Sequence, residues 1–261
     1  MDRWIDGLRD TQVGFCRYLV LECCGPKIKL MKIPSKLWAG VCLAGILFTN
    51  LASAEDGADK RQHLFILSGQ SNMARLDPGV SFTPAVEKAF GKDKVTVVKG
   101  AKGGMPIKEW YKDWKPAEGK VRGKNGALYD KLIAVMTPAI EGKEFDSVTF
   151  VWMQGERDSK DGWDKVYKDS LLGLVQQLRD DLGRQDINVV IGRLSDAKLG
   201  TPGWDSIRQI QKEVCEANPR WKWVNTDDLD RPKNDVHYTE AGYRMLGERF
   251  AEKAILLING Q

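Results

Sequence analysis

A chain of 261 residues with 40 Lys and Arg against 36 Asp and Glu carries a formal charge of +4, but residues 1–54 hold seven of the basic residues and only four of the acidic ones. The 207 residues that follow balance 33 against 32, which excludes the basic footprint a nucleic-acid partner would need. Cys16, Cys23, Cys24 and Cys42 also lie in that first stretch, so Cys215 alone remains beyond it and no intramolecular disulfide can form there.

In chain order, the first feature is the run that starts at Met31. Lys32 and Lys36 give a positive start, residues 37–48 an apolar stretch, and Ala52-Ser53-Ala54 a small-residue cleavage site. These three parts define a secretory signal peptide over residues 31–54, and its apolar stretch is too short for a membrane span. Signal peptides begin at a start codon, so residues 1–30 are expected to come from a misplaced start and to be disordered. A genuine long leader is the alternative. Residues 55–261 are then the mature chain, large enough for one core and one domain, secreted or periplasmic, with no membrane contact after processing.

Leu64, Phe65, Ile66 and Leu67 read as a strand over 63–68 buried on both faces, as in parallel sheets. His63, just before it, reads as surface or edge. The run stops at Gly69, and a helix is expected after Ser71. Further strands are expected over 94–99, 147–153, 188–193 and 222–225, and helices over 127–140, 163–182, 204–217 and 239–258. Leu171, Leu172, Leu174, Val175 and Leu178 form an apolar stripe at helical spacing, which is core. Alternating units of this kind predict a parallel sheet between two layers of helices. The connection 100–126 is long and rich in Gly, Lys and Trp. Such connections in compact domains are functional or mobile, so it is expected to form a wall of the active site.

Three segments carry chemistry. Ser71 sits just past a strand end, where ligands bind in open α/β sheets, and the N–H groups of Ser71 and Asn72 at a helix start are free to meet developing negative charge. A helix cap is the bland alternative. The segment NDVHYTEAGY places His237 in a polar loop with acids beside it, before a helix opened by Thr239 and Glu240. The segment SVTFVWMQGERD ends a buried strand with Gln154, Gly155, Glu156 and Asp158. Serine, late histidine, nearby acid and strand-end amide together form an acyl-transfer constellation, with Ser71 as nucleophile and His237 as its base. Glu156 and Asp158 also admit a glycosidase pair, or solvated loop acids, or a brace for the Ser71 loop. Two histidines and one cysteine leave only carboxylates to hold a metal and no EF-hand spacing is present, so neither metal nor cofactor is expected.

The blocks GQSNM, GGMPIKEW (103–110), WMQGERD and DVHYTEAGY closing on LGERFA resemble the SGNH-hydrolase superfamily, and within it the sialate O-acetylesterase and acetyl xylan esterase branch. They occur in that family's order from Leu64 to Ala251, and Gly69-Gln70-Ser71-Asn72-Met73 lacks the second glycine of a GxSxG elbow. The resemblance implies an α/β fold: a three-layer α/β/α sandwich on a parallel, flavodoxin-like sheet of about five strands. It also implies an oxyanion hole made by the Ser71 N–H, an N–H of Gly103 or Gly104, and the Gln154 side-chain amide. The superfamily places its acid three residues before the histidine, where this chain has Asn234, with Asp235 two before. Asp235 is the favoured partner of His237; Asn234, a backbone carbonyl, Asp227, Asp228 or Asp230 are the alternatives. Asn72, Glu156 and Asn234 are expected in supporting roles.

The function expected is a secreted serine esterase that removes O-acetyl groups from carbohydrate through an acyl-enzyme on Ser71. Sialic acid or a xylan-type glycan would be the substrate and no partner besides it is expected. Trp110, Trp114, Trp152, Trp163 and Trp204 either stack on sugar rings or fill the core. Arg75, Lys108, Arg157 and Arg193 are the candidates to meet a sugar carboxylate. The alternatives are an SGNH lipase or thioesterase acting on other small esters, and a non-catalytic carbohydrate-binding protein on the same fold.

Overall fold

The computed structural model describes residues 61–121 and 123–260. The expectations for residues 1–30 and for the signal peptide fall outside them. Among the described residues the five strands are β1 (His63–Gly69), β2 (Val95–Ala101), β3 (Ser147–Met153), β4 (Asn188–Gly192) and β5 (Trp221–Val224). All pair in parallel, in the order β2-β1-β3-β4-β5. The chain winds from β1 outward to β2, then crosses to β3 on the other side of β1. The order therefore reverses between β1 and β3, and in sheets of this type ligands bind at that point. Register makes the point usable: Gly69 stands opposite Ala101 on one side and Met153 on the other, so three strands end level.

Among the described residues the seven α-helices are α1 (Ser71–Arg75), α2 (Phe82–Phe90), α3 (Ala127–Ile140), α4 (Glu156–Asp161), α5 (Asp164–Asp181), α6 (Pro202–Glu216) and α7 (Glu240–Ile258). The pleat of β1 divides the core in two. Leu64 and Ile66 join a cluster with Leu132 of α3, Leu171 and Leu174 of α5, and Ile207 of α6. Phe65 and Leu67 join Phe82 of α2 with Leu246 and Phe250 of α7 on the other face. Each of these side chains contributes roughly 1.5–3 kcal/mol by leaving water, which is what holds α7 and the loop before it against the sheet. Among the described residues no helix is long and apolar enough to cross a membrane.

Two helices escape the sequence pattern. Pro84 of α2 falls in the first turn, where a missing N–H leaves no helical bond unmade. The segment ERDSKD of α4 is wholly polar and was expected as loop. His63 is a correction: it is buried in a central strand, with Nδ1 2.8 Å from Ser147 Oγ and its ring 4.2 Å from that of Phe90. Trp110 and Trp152 pack edge to face at 5.2 Å in the core, away from solvent.

Candidate active site

Two glycines bring the strand ends close. Gly69 adopts φ 142°, and a Cβ there would lie 2.0 Å from the Met153 carbonyl oxygen. Gly155 repeats that φ at the end of β3, where a Cβ would meet Ile207 at 2.8 Å. Neither position accepts a side chain, so β1 and β3 can turn sharply into α1 and α4 at neighbouring points. Ser71 is the first residue of α1, with its N–H among the donors that a helix start leaves unpaired.

His237 reaches Ser71 from the loop before α7. Its Nε2 lies 3.0 Å from Ser71 Oγ, and its Nδ1 lies 2.9 Å from Asp235 Oδ1. The same Asp235 oxygen accepts the His237 backbone N–H at 3.0 Å. That backbone bond, with the imidazole beside it, holds the Asp235 carboxyl below the usual carboxylate range. Asn234 takes φ 62°, a left-handed turn, and borders a separate polar hollow, while Asp235 faces the histidine. The other candidate acids are engaged elsewhere: Asp227 by Arg193 and Arg208, Asp228 by Arg249, and Asp230 by the Thr239 hydroxyl.

Asn72 ties the pieces together. Its Nδ2 donates to Glu156 Oε1 at 2.8 Å and to the Val236 carbonyl at 3.0 Å, while its Oδ1 accepts from the Tyr243 hydroxyl at 2.9 Å. One buried amide thus links α1, α4, the histidine loop and α7. Glu156 and Asp158 are not solvated loop acids. Glu156 keeps a part-exposed stem, but its Oε2 is sealed without a partner, and burial pushes the carboxyl up to about 7. Asp158 is fully buried, pushed up to about 7 by the same cause, and its Oδ2 accepts the Ile107 N–H at 2.9 Å. It pins the connection 100–126 to the end of β3 and does not reach the cavity wall, so the two acids do not form a glycosidase pair.

Gly104 lines the cavity with φ 72°, and a Cβ on Gly103 would come 3.5 Å from Ser71 Cβ. The N–H groups of Ser71, Gly103 and Gly104 donate to no backbone acceptor among the described residues. Gln154 departs from expectation. It is fully buried behind the cavity, and its Nε2 is shared among Asp158 Oδ2, Gln70 Oε1 and the Met105 carbonyl. Asp158, one helical turn further on, captures the amide that the family resemblance directs at substrate.

These elements surround a cavity of about 640 Å³ with Ser71 and His237 in its wall. Residues 74–256 match the family model described as carbohydrate esterase, sialic acid-specific acetylesterase. The chain belongs to this family. The esterase match takes in the GGMPIKEW, WMQGERD and DVHYTEAGY blocks and begins three residues after Ser71. A protein from Arabidopsis thaliana has the same fold, at TM-score 0.58 and 20% identity over 75% of this chain and 98% of that one. A carbohydrate acetylesterase from Xanthomonas citri matches at TM-score 0.56 and 18% identity, over 76% of this chain and 57% of that one. The structure of NanS matches at TM-score 0.53 and 16% identity, over 76% and 97% respectively. No curated protein matches the sequence. The α/β sandwich on an all-parallel five-stranded sheet is the fold expected from the sequence, and the family makes the protein a carboxylic ester hydrolase of the carbohydrate esterases.

The esterase cavity sorts the remaining candidates. Arg75 and Arg157 line it, as do Lys160 and Lys198, which the sequence did not single out. Lys108 instead lies over the rings of Trp114 and Trp163, and Arg193 is held by Asp227. Of the five candidate tryptophans only Trp204 touches the cavity, with its indole N–H donating to the Ser195 carbonyl at 2.7 Å. Gln70 and Tyr243 were also missed. For Gln70 a signal existed, since a polar residue sits between a strand-ending glycine and the serine.

Proposed function

We propose that this esterase is exported and removes O-acetyl groups from carbohydrate by forming an acyl-enzyme on Ser71. The observation that carries the reading is the continuous relay from Ser71 Oγ through His237 to Asp235 in the cavity wall, at 3.0 and 2.9 Å. Ser71 Oγ attacks the acetyl carbon while His237 Nε2 takes the hydroxyl proton, and the carbonyl π pair moves onto oxygen. The tetrahedral species collapses, the sugar oxygen leaves with the proton from Nε2, and acetyl stays on Ser71. Water then attacks with His237 again as base, releasing acetate and restoring the hydroxyl. Asp235 keeps the Nδ1–H tautomer facing it and stabilises the imidazolium of both half-reactions.

The cavity supports a glycan over a long acyl chain. Arg75, Arg157, Lys160 and Lys198 stand around it, and the carboxyl of Glu156 is turned inward to Asn72. Such a wall suits a hydroxylated or carboxylated sugar, and sialic acid fits the cations better than neutral xylose. Export rests on the n-region, apolar stretch and Ala52-Ser53-Ala54 site of residues 31–54, with secreted protein starting near Glu55. The test is acetate release over a panel of acetylated glycans by wild type and Ser71→Ala. Turnover by wild type and its abolition in the variant, at unchanged melting temperature, is expected. Undiminished release by Ser71→Ala would remove the acyl-enzyme.

A further inference from the structure

The family resemblance assigns the side-chain donor of the oxyanion hole to Gln154, yet that side chain is walled off from the cavity. Its Nε2 carries two hydrogens and already faces three acceptors within the protein: Asp158 Oδ2, the Met105 carbonyl at 3.2 Å and Gln70 Oε1 at 3.2 Å. The residue it touches next is the informative one. Gln70 is 3% exposed and lines the cavity beside Ser71. Its Oε1 accepts from Gln154 Nε2 and also from the Arg157 backbone N–H, each at 3.2 Å. The Arg157 N–H is one of the first-turn donors of α4, a helix with no side-chain cap of its own.

Two donors aimed at one end of an amide fix its orientation, because a flipped Gln70 would set N–H against N–H. Oxygen therefore faces inward and Nε2 outward. That nitrogen donates to no protein acceptor among the described residues and is not among the sealed polar atoms of the interior. It is a donor with free hydrogens on a nearly immobile side chain, next to the nucleophile.

We propose that Gln70 Nε2 donates to the oxyanion formed when Ser71 attacks the acetyl carbonyl, and that Gln154 stands behind it as a positioning residue. The assignment rests on the esterase reading of Ser71 given above. The donor set is then the Ser71 N–H, an N–H of Gly103 or Gly104, and Gln70 Nε2, all held by backbone or buried side chains before substrate arrives. Preorganisation of this kind is what makes an oxyanion donor effective, since nothing has to reorient as charge develops. Behind Gln70 stand two buried side chains, Gln154 and Asp158, joined at Gln154 Nε2. Gln154 Nε2 thus faces both the Asp158 carboxyl and Gln70 Oε1, which ties the Gln70 amide to a buried, fixed group.

The experiment compares Gln70→Glu, Gln70→Met, Gln154→Met and the double variant Gln70→Glu/Gln154→Met with wild type on an aryl acetate and an acetylated glycan. Gln70→Glu keeps the inward oxygen for Gln154 and Arg157 and loses only the outward N–H; Gln70→Met provides the uncharged counterpart. A second readout is the rate at which an aryl phosphonate labels Ser71, because its P=O oxygen occupies the oxyanion position. Both Gln70 variants should lose about 100-fold or more in kcat and in labelling rate with KM little changed. Gln154→Met should lose less, and the double variant should be no slower than Gln70→Glu alone, since Gln154 acts through Gln70. Active wild type with Gln70 variants within about threefold of it would overturn the assignment and leave the esterase reading intact. Multiplying losses in the double variant would return the donor role to Gln154. A wild type that neither turns over acetyl esters nor labels at Ser71 would overturn the esterase reading and this assignment with it.

Discussion

Asn72→Ala removes the amide that joins four elements of the site, and its consequences can be worked from its contacts. The side chain is 1% exposed and makes hydrogen bonds to Glu156 Oε1, the Val236 carbonyl and the Tyr243 hydroxyl. Each partner left unpaired in a buried setting costs roughly 1–3 kcal/mol, which for three partners amounts to about 3–5 kcal/mol after partial rescue by water. For a domain of this size each kcal/mol moves the melting midpoint by roughly 2–4 °C, so a fall of about 10 °C is expected by calorimetry. Activity should suffer separately. Val236 carries His237, and a displacement of the base by about 1 Å can cost on the order of 100-fold in kcat. Tyr243→Phe is the matched control, removing one partner, and should lower the midpoint by only about 2–4 °C with kcat nearly unchanged. An Asn72→Ala protein melting within about 2 °C of wild type at full kcat would refute the idea that this amide holds the histidine loop to the nucleophile.

Two further outcomes follow from the carboxyls. Asp235→Asn should lower kcat by orders of magnitude at similar KM, whereas Asn234→Asp should change little, because Asn234 borders the separate hollow; a silent Asp235→Asn would exclude Asp235 as the partner of His237. Glu156 and Asp158 have ordinary values of 4.5 and 3.8 and are both raised to about 7 in the fold, so the native protein binds protons that the unfolded chain has lost. Stability should therefore decline as pH rises from about 4 to about 7, and level off above that. Glu156→Gln removes one of the two titrations and keeps the acceptor for Asn72, so the decline measured by chemical denaturation should shrink by roughly half, and an unchanged slope would show that Glu156 does not titrate in that window.

The framework was legible in the sequence because it is written in side-chain periodicity. Strand β3 and helix α3 fall on the residues expected, and the remaining strands shift by one or two residues at their ends. Each is bounded by apolar runs, glycines or helix-start residues. What escaped was set by tertiary partners. The burial of His63 depends on Ser147 and Phe90, far away in the chain. The burial of Asp158 depends on Gln154 and on the Ile107 N–H across the long connection. Spacing alone could not choose between Asn234 and Asp235, since the choice is made by a single left-handed residue. The serine and histidine were found by residue type and position at strand ends, while the outward amide of Gln70 needed the two donors behind it to be seen.

The relay unites the two extremes of the described chain. Ser71 follows the first strand, and His237 precedes the last helix. The docking of α7, through Leu246, Phe250, Ala254 and the Tyr243 hydroxyl, together with the Asn72 amide on the Val236 carbonyl, brings the histidine loop over the serine. On the mechanism proposed above, Ser71 leaves the ribosome long before His237, and it stays a plain alcohol until α7 has packed. Catalytic competence is therefore a late event in the life of each molecule, and the appearance of activity on refolding reports closure of the whole sheet rather than assembly of its first half.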